Sequence, residues 1–205
     1  MCTYDSISSR RTRLAWIATL GAASLCARCF TGFELPSVSV QIVTYQRPSL
    51  LLEALQQIEV QDYDGKLEVL ILDDSPESSE QAVEEFAKSS RHCINYRFLS
   101  QRHTIGAKRN LGVNLSESEL ICTWDDDDIY PSDRIRCQVD FLLEHPRCKC
   151  AMIERRYFFW MTNVLRACHD ELQLFPLENT LCFWKDWFQA GRRFDTGSVN
   201  EGLGL

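Results

Sequence analysis

The sequence predicts an α/β layered domain built on a mainly parallel sheet. Three observations carry that expectation. From Pro36 onward, short β-branched runs alternate with segments of helical periodicity. The runs are apolar almost throughout, as strands covered on both faces are. Polar residues gather just after the runs, at what would be the carboxyl ends of the strands, where such sheets bind ligands.

The elements follow in order. PSVSVQIVTY, bounded by Pro36 and by Arg47-Pro48, places Val38, Val40 and Ile42 on one face and reads as a buried strand. Ser49 is the expected cap of a helix over LLEALQQIEV, whose Leu51, Leu52, Leu55 and Ile58 fall at helical spacing. LEVLILDDS is a second buried strand ending in Asp73-Asp74, and Ser75-Pro76 turns the chain into a helix over Glu80–Lys88. YRFLS (96–100) is a third strand, Ile105–Leu115 a helix, and ELICTW (119–124) a fourth strand that runs into Asp125–Asp128. Pro131 and Ser132 start the helix DRIRCQVDFLLEH, which stops before Pro146. KCAMI and TLCFW are further strands, and KDWFQA is a helix closed by Gly191.

Composition bounds the function. With 205 residues, 45% hydrophobic and 25% charged, the chain suits one soluble globular domain. Its 22 Lys+Arg against 29 Asp+Glu give a net charge of −7, which argues against a nucleic-acid partner. An acidic protein still binds anionic ligands when a divalent cation stands between them. The ten cysteines are scattered, and several lie in apolar runs, so buried free thiols are expected rather than a disulfide or zinc framework.

The two ends stand apart. Arg10, Arg11 and Arg13 precede an apolar run over 14–27, so residues 1–35 read as an extension carrying a signal or anchor, with a lean to an endomembrane or membrane-associated location and a cytoplasmic one as the alternative. The run is shorter than the roughly 20 residues of a spanning helix, and a loosely packed helix is the plain alternative. The domain proper is then 36–205. Its end at EGLGL, without a terminating element, suggests an incomplete C-terminus.

The acidic run is the strongest single signal. Like charges about 4 Å apart repel by roughly 1 kcal/mol in water and by several times that near a protein surface. Raised pKa values or a bound cation relieve the repulsion. In an extended segment Asp125 and Asp127 share one face, and Asp126 and Asp128 the other. Such a D-x-D pair suits Mn²⁺ or Mg²⁺ completed by water and substrate phosphates. A solvated acidic loop, or acids favoured at the helix start near Pro131, is the alternative.

Other residues suit a phosphate-bearing ligand. Gly106-Ala107-Lys108-Arg109-Asn110 opens a helix with backbone N–H groups and cationic side chains, as an anion site does. Asp73 or Asp74 can accept from a nucleobase N–H or a ribose hydroxyl, and Tyr45 offers a stacking face. The same two acids also suit a simple strand-end turn.

Taken together, VSVQIVTYQR (38–47), LEVLILDDS (67–75), GAKRNLG (106–112) and TWDDDDIYP (123–131) resemble, in order and spacing, the family 2 glycosyltransferases of GT-A (Rossmann-like) fold, over roughly residues 36–145. The resemblance implies inverting, metal-dependent transfer of a sugar from a nucleotide-sugar donor, usually uridine-linked, to an acceptor hydroxyl on a glycan, lipid or protein. Thr44, Tyr45 and Arg47 would line the nucleotide pocket, and Asp74 (or Asp73) would read the base. Lys108 and Arg109 would flank the nucleotide, Asp125 would face ribose and metal, and Asp127 would ligate the metal. The catalytic base falls on Glu201 in Asn200-Glu201-Gly202, where Gly202 replaces the Asp of the family's Glu-Asp pair. Trp184 and Trp187 suit either sugar contact or aromatic packing. Two other readings compete: a nucleotide-sugar-binding domain without activity, and a haloacid-dehalogenase-type phosphatase using Asp125 and Asp127.

Overall fold

The structure, a computed structural model, describes residues 34–153, 157–161, 165–169, 178–197 and 203–204. In chain order these form β1 (Val38–Thr44), α1 (Pro48–Glu59), β2 (Leu67–Asp73), α2 (Glu80–Ala87), β3 (Cys93–Phe98), α3 (Ile105–Leu115), β4 (Leu120–Trp124), α4 (Arg134–Glu144) and β5 (Cys150–Ala151). There follow β6 (Tyr157–Met161), β7 (Leu165–His169), a 3₁₀ turn at Glu178–Thr180, β8 (Cys182–Trp184), α5 (Lys185–Gln189), β9 (Arg193–Phe194) and β10 (Leu203–Gly204). The expected α/β domain is present, and its six-stranded sheet has the order β3-β2-β1-β4-β8-β5.

Strands β1, β2, β3 and β4 pair in parallel. Strand β8 enters antiparallel to β4, and β5 is antiparallel to β8. The strand order therefore reverses at β1, which has β2 on one side and β4 on the other. The loops leaving β1 and β4 both turn to the face that α1 covers, where Gln57 and Gln61 donate to the carbonyls of Asp128 and Pro131. Helix α3 covers the other face, and ligands of such sheets bind in the crevice at this carboxyl edge. Register fixes what lines it: Thr44 lies opposite Asp73, and Ile42 opposite Trp124. Thr44, the Asp73-Asp74 pair and the run from Asp125 are thus brought to one edge although they are far apart in sequence.

The sheet is covered on both faces. On one side Val38, Val40 and Ile42 pack with Leu51, Leu55 and Ile58 of α1, Val83 of α2, and Ile135, Val139 and Leu142 of α4. Each such aliphatic side chain contributes roughly 1.5–3 kcal/mol when fully buried. On the other side Val113, Ile121, Leu181, Phe183, Phe188 and Phe194 form a smaller, aromatic core. Helix α3 comes very close to the sheet there, since a β carbon on Gly112 would lie 1.7 Å from Gln41 Nε2. Gln41 Nε2 in turn donates to the carbonyl of Arg109 at 2.8 Å. The polar face of β1 thereby pins the helix that carries Lys108 and Arg109.

Several expectations are corrected in detail. Helix α1 starts with Pro48 in its first turn and Arg47 at the cap position, without a side-chain cap, so Ser49 lies inside the helix. Proline already lacks the N–H that a cap would satisfy. Strand β3 begins at Cys93, three residues before the expected start, because its pairing with β2 extends down to Glu68. Cys122 and Cys182 are buried free thiols as expected, but Cys148 is disulfide-bonded. The segments 14–27 and 198–202 lie outside the described residues. Among the described residues, no helix is long and apolar enough to cross a membrane.

Candidate active site

The acidic run does not continue the strand. It breaks into a turn at Asp126–Asp127, so the alternation expected of an extended segment is lost, and Asp126 and Asp127 come to share Arg47 while Asp125 and Asp128 take other partners. Asp126 turns inward, is buried, and accepts from Thr44 Oγ1 at 2.6 Å and Arg47 Nη1 at 3.0 Å. Asp127 is half-exposed and accepts from the same Arg47 Nη1 at 2.6 Å. Asp125 pairs with Arg109 Nη2 at 3.0 Å, and the other terminal nitrogen of Arg109 lies 3.5 Å from Glu178. Asp128 accepts from Tyr130 OH at 3.0 Å and from the Asn179 amide.

Behind the turn, Arg134 is fully buried, stacked on the rings of Tyr130 and Trp124 at 4.0 and 4.7 Å. It donates to the Thr123 carbonyl at 2.6 Å and so holds the end of β4. The five carboxylates Asp125–Asp128 and Glu178 face the three guanidinium groups of Arg47, Arg109 and Arg134, leaving negative charge over. Asp125 registers the excess: burial raises its pKa, and Asp128 and Asp127 add to the rise against the pull of Arg109.

On the other side of β1, Asp73 and Asp74 part company. Asp73 is enclosed, accepting from the backbone and hydroxyl of Ser75 and from Tyr96 OH at 2.6 Å. Asp74 accepts from the His103 N–H at 2.6 Å, from Lys108 Nζ at 2.8 Å and from Arg102 Nη1 at 2.5 Å. Burial alone would raise the Asp74 carboxyl, but these donors outweigh it and hold it below the ordinary carboxylate range. Lys108, only 2% exposed, also donates to the Thr44 carbonyl at 2.8 Å and so ties β1, β2 and α3 together. The Arg102 guanidinium lies 3.4 Å from the centre of the Tyr45 ring.

The structure thus brings Thr44, Tyr45, Arg47, Asp73, Asp74, Lys108, Arg109, Asp125 and Asp127 to one crevice. Glu201, the expected base, lies outside the described residues. Trp184 packs against the larger core, and Trp187 packs edge-on against Phe183 with Arg192 over its face, so both serve aromatic packing. Sequence reasoning missed Arg102, Asp126 and Glu178. Asp126 stood in the motif but was assigned to the wrong face, and Arg102 and Glu178 sit in loops with no periodicity.

A metal ion suits the donor set here. Hard oxygen ligands, exposed at Asp127 and partly exposed at Asp125, stand in a cluster already short of positive charge. Among the described residues no group of three or more potential ligands already converges, so an ion would take these two carboxylates and complete its shell with water or substrate oxygens.

Comparison with known proteins identifies the fold and the family. Residues 39–198 match the sequence pattern of Glycosyl transferase family 2. A GalNAc(5)-diNAcBac-PP-undecaprenol beta-1,3-glucosyltransferase of Campylobacter jejuni is 30% identical over 96 residues, covering 46% of this chain and 30% of that protein. An uncharacterised glycosyltransferase of Rickettsia felis is 30% identical over 108 residues, 53% of this chain and 17% of the relative. The matched part is therefore under a third of either relative's length. Among solved structures, S. aureus TarS 1-349 in complex with UDP superposes with a TM-score of 0.65 at 18% identity, covering 80% of this chain and 52% of that one. The mannosyltransferase PcManGT of Pyrobaculum calidifontis, in complex with GDP-Man and Mn²⁺, superposes with a TM-score of 0.55 at 24% identity, covering 61% and 37%. These likenesses establish a GT-A fold, and the phosphatase reading falls away. With more than three quarters of its length inside the family pattern, the chain belongs to glycosyl transferase family 2.

Proposed function

We propose that the chain transfers a sugar from a uridine diphosphate sugar to an acceptor hydroxyl, with inversion at the anomeric carbon and with Mn²⁺ or Mg²⁺ held by Asp127 and Asp125. The observation that carries the reading is the row of Thr44, Tyr45, Asp74 and Asp125–Asp127 along the crevice where the strand order reverses. That row offers a stacking ring and a hydrogen-bond acceptor for a base, then carboxylates for a bridging cation, in the sequence base, ribose, diphosphate. The solved relatives with UDP or with GDP-Man and Mn²⁺ support the donor class and the metal. The chain matches only 17% and 30% of the length of the two curated relatives, so the activity as a whole is part of this proposal.

In this reading Tyr45 stacks the base, Asp74 accepts its N–H, and Lys108 keeps Asp74 ionised from below. Arg109 orients Asp125 towards the ribose. A cation at Asp127 would offset the charge that develops on the departing diphosphate. The acceptor hydroxyl attacks the anomeric carbon from the face opposite the diphosphate. The new C–O bond forms as the bond to the diphosphate oxygen breaks, and the proton passes to the carboxylate of Glu201. Lipid, glycan and protein acceptors all meet this chemistry.

A second reading, donor binding without transfer, draws on Gly202, which stands where the family carries the Asp beside its base. Single-turnover assays separate the two. With UDP-sugars, Mn²⁺ and a panel of hydroxyl acceptors, the wild type releases UDP and yields a glycosylated product. Glu201→Gln slows transfer by about 10²- to 10⁴-fold with donor binding retained. Donor binding without product in the wild type, or unaltered turnover in the variant, would refute the catalytic assignment.

A further inference from the structure

We infer that Arg102 is a built-in competitor for the donor base: its guanidinium fills the slot between the Tyr45 ring and the Asp74 carboxylate, and it has to leave before a base can enter. The inference deepens the donor reading above and rests on it. The guanidinium is flat, stacks 3.4 Å from the ring centre, and points an N–H at Asp74 Oδ1 at 2.5 Å. A nucleobase that stacked on Tyr45 and gave a ring N–H to Asp74 would present the same three features: planarity, a π face and an edge donor. Two groups cannot hold that space together.

The surroundings are arranged for exchange. The Arg102 side chain is 55% exposed, whereas that of Lys108, the other cation on Asp74, is 2% exposed. When Arg102 swings out, Lys108 and the His103 N–H stay, so Asp74 remains ionised and fixed. One lone pair on Oδ1 falls vacant, and a carboxylate there can only accept. The slot therefore selects bases with a ring N–H at their pairing edge, such as uracil, over those without one. Arg102 lies in the six-residue link between β3 and α3, so its departure disturbs no regular element.

The cost of displacement is modest because both contacts of Arg102 are partly solvated. A partly exposed cation–π contact and ion pair together lower apparent affinity by about 3- to 10-fold. The test uses uridine, which carries no phosphate, so that deleting a positive charge does not weaken the probe's own attraction. Uridine is titrated by NMR into wild type, Arg102→Ala and Arg102→Lys, and wild type is also titrated with UDP and Mn²⁺. Arg102→Ala binds uridine about 3- to 10-fold more tightly than wild type, and Arg102→Lys falls between, since an ammonium keeps the charge and loses the plane. 3-Methyluridine, which stacks but lacks the ring N–H, binds more weakly than uridine to all three. If UDP–Mn²⁺ binds wild type while Arg102→Ala takes uridine equally or less tightly, Arg102 is no competitor and the inference is overturned alone. If wild type binds neither uridine nor UDP–Mn²⁺, the donor site itself falls.

Discussion

Replacing Lys108 by Met is the most demanding test of how the crevice is held together. Met keeps most of the buried apolar stem and removes the charged donor group. Two hydrogen bonds of 2.8 Å are lost, to the Thr44 carbonyl and to Asp74 Oδ1. The neutral acceptor accounts for about 1 kcal/mol, and the charged one for about 1.5–3 kcal/mol. Arg102 and the His103 N–H stay on Asp74, so the loss stays at the low end of the 3–5 kcal/mol typical of a broken buried ion pair. We expect about 3 kcal/mol at neutral pH, measured by urea denaturation. That is a large share of the 5–15 kcal/mol that holds an ordinary domain.

The pH dependence fixes the cause. Asp74 titrates below its unfolded value in the wild type, so its contribution is full above the unfolded pKa of about 3.9 and is lost as pH falls through the lower folded value. Without Lys108 the folded pKa of Asp74 moves up, and the gap between the two proteins narrows below about pH 4. The losses from Lys108→Met and Asp74→Asn should add to less than their sum in the double variant, because both remove the same buried ion pair. A cost below 1 kcal/mol, a gap independent of pH, or strictly additive double-mutant energies would refute the argument.

Two further perturbations probe the frame around the crevice. A β carbon on Gly106 would stand 1.7 Å from the Asp195 carbonyl oxygen, so Gly106→Ala should push β9 from α3 and cost about 1–3 kcal/mol by denaturation, against the gain of up to about 1 kcal/mol that alanine brings to a helix; net stabilisation would show that β9 does not dock there. Glu68 is buried and accepts from the Ser116 and Ser118 hydroxyls at 2.8 Å each. Burial would raise its carboxyl, but those donors hold it below the ordinary range, so Glu68→Gln should lose about 1–3 kcal/mol at neutral pH and converge with wild type as pH falls through the lowered value. A difference that persists in acid would assign the loss to packing.

The backbone plan was legible because it rests on local signals. Continuous apolar runs give β1, β2 and β4, and the predicted helix over Ile105–Leu115 coincides with α3. The gathering of Thr44, Asp74 and Asp125 at one edge follows from parallel strands of equal sense, so that too could be read. Charge pairing could not. Arg47 bridges Asp126 and Asp127 across 79 and 80 residues, and Arg109 joins Asp125 to Glu178, partners fixed only by tertiary packing. The turn at Asp126–Asp127 was hidden for a related reason: four identical residues carry no periodicity from which to choose a face. Strand β8 is three residues long and pairs antiparallel with β4 from 60–64 residues away, beyond the reach of any local rule.

Calorimetric titration of UDP into the chain with Mn²⁺ or with EDTA, for wild type and Asp127→Ala, meets the account at its centre. The half-exposed Asp127 carboxylate, set in a cluster with negative charge to spare, is held to bind the diphosphate through a divalent ion. Binding should appear with Mn²⁺, fall at least tenfold in EDTA, and lose its metal dependence in Asp127→Ala. Equal affinity with and without the metal, or undiminished metal-dependent binding in the variant, would contradict it.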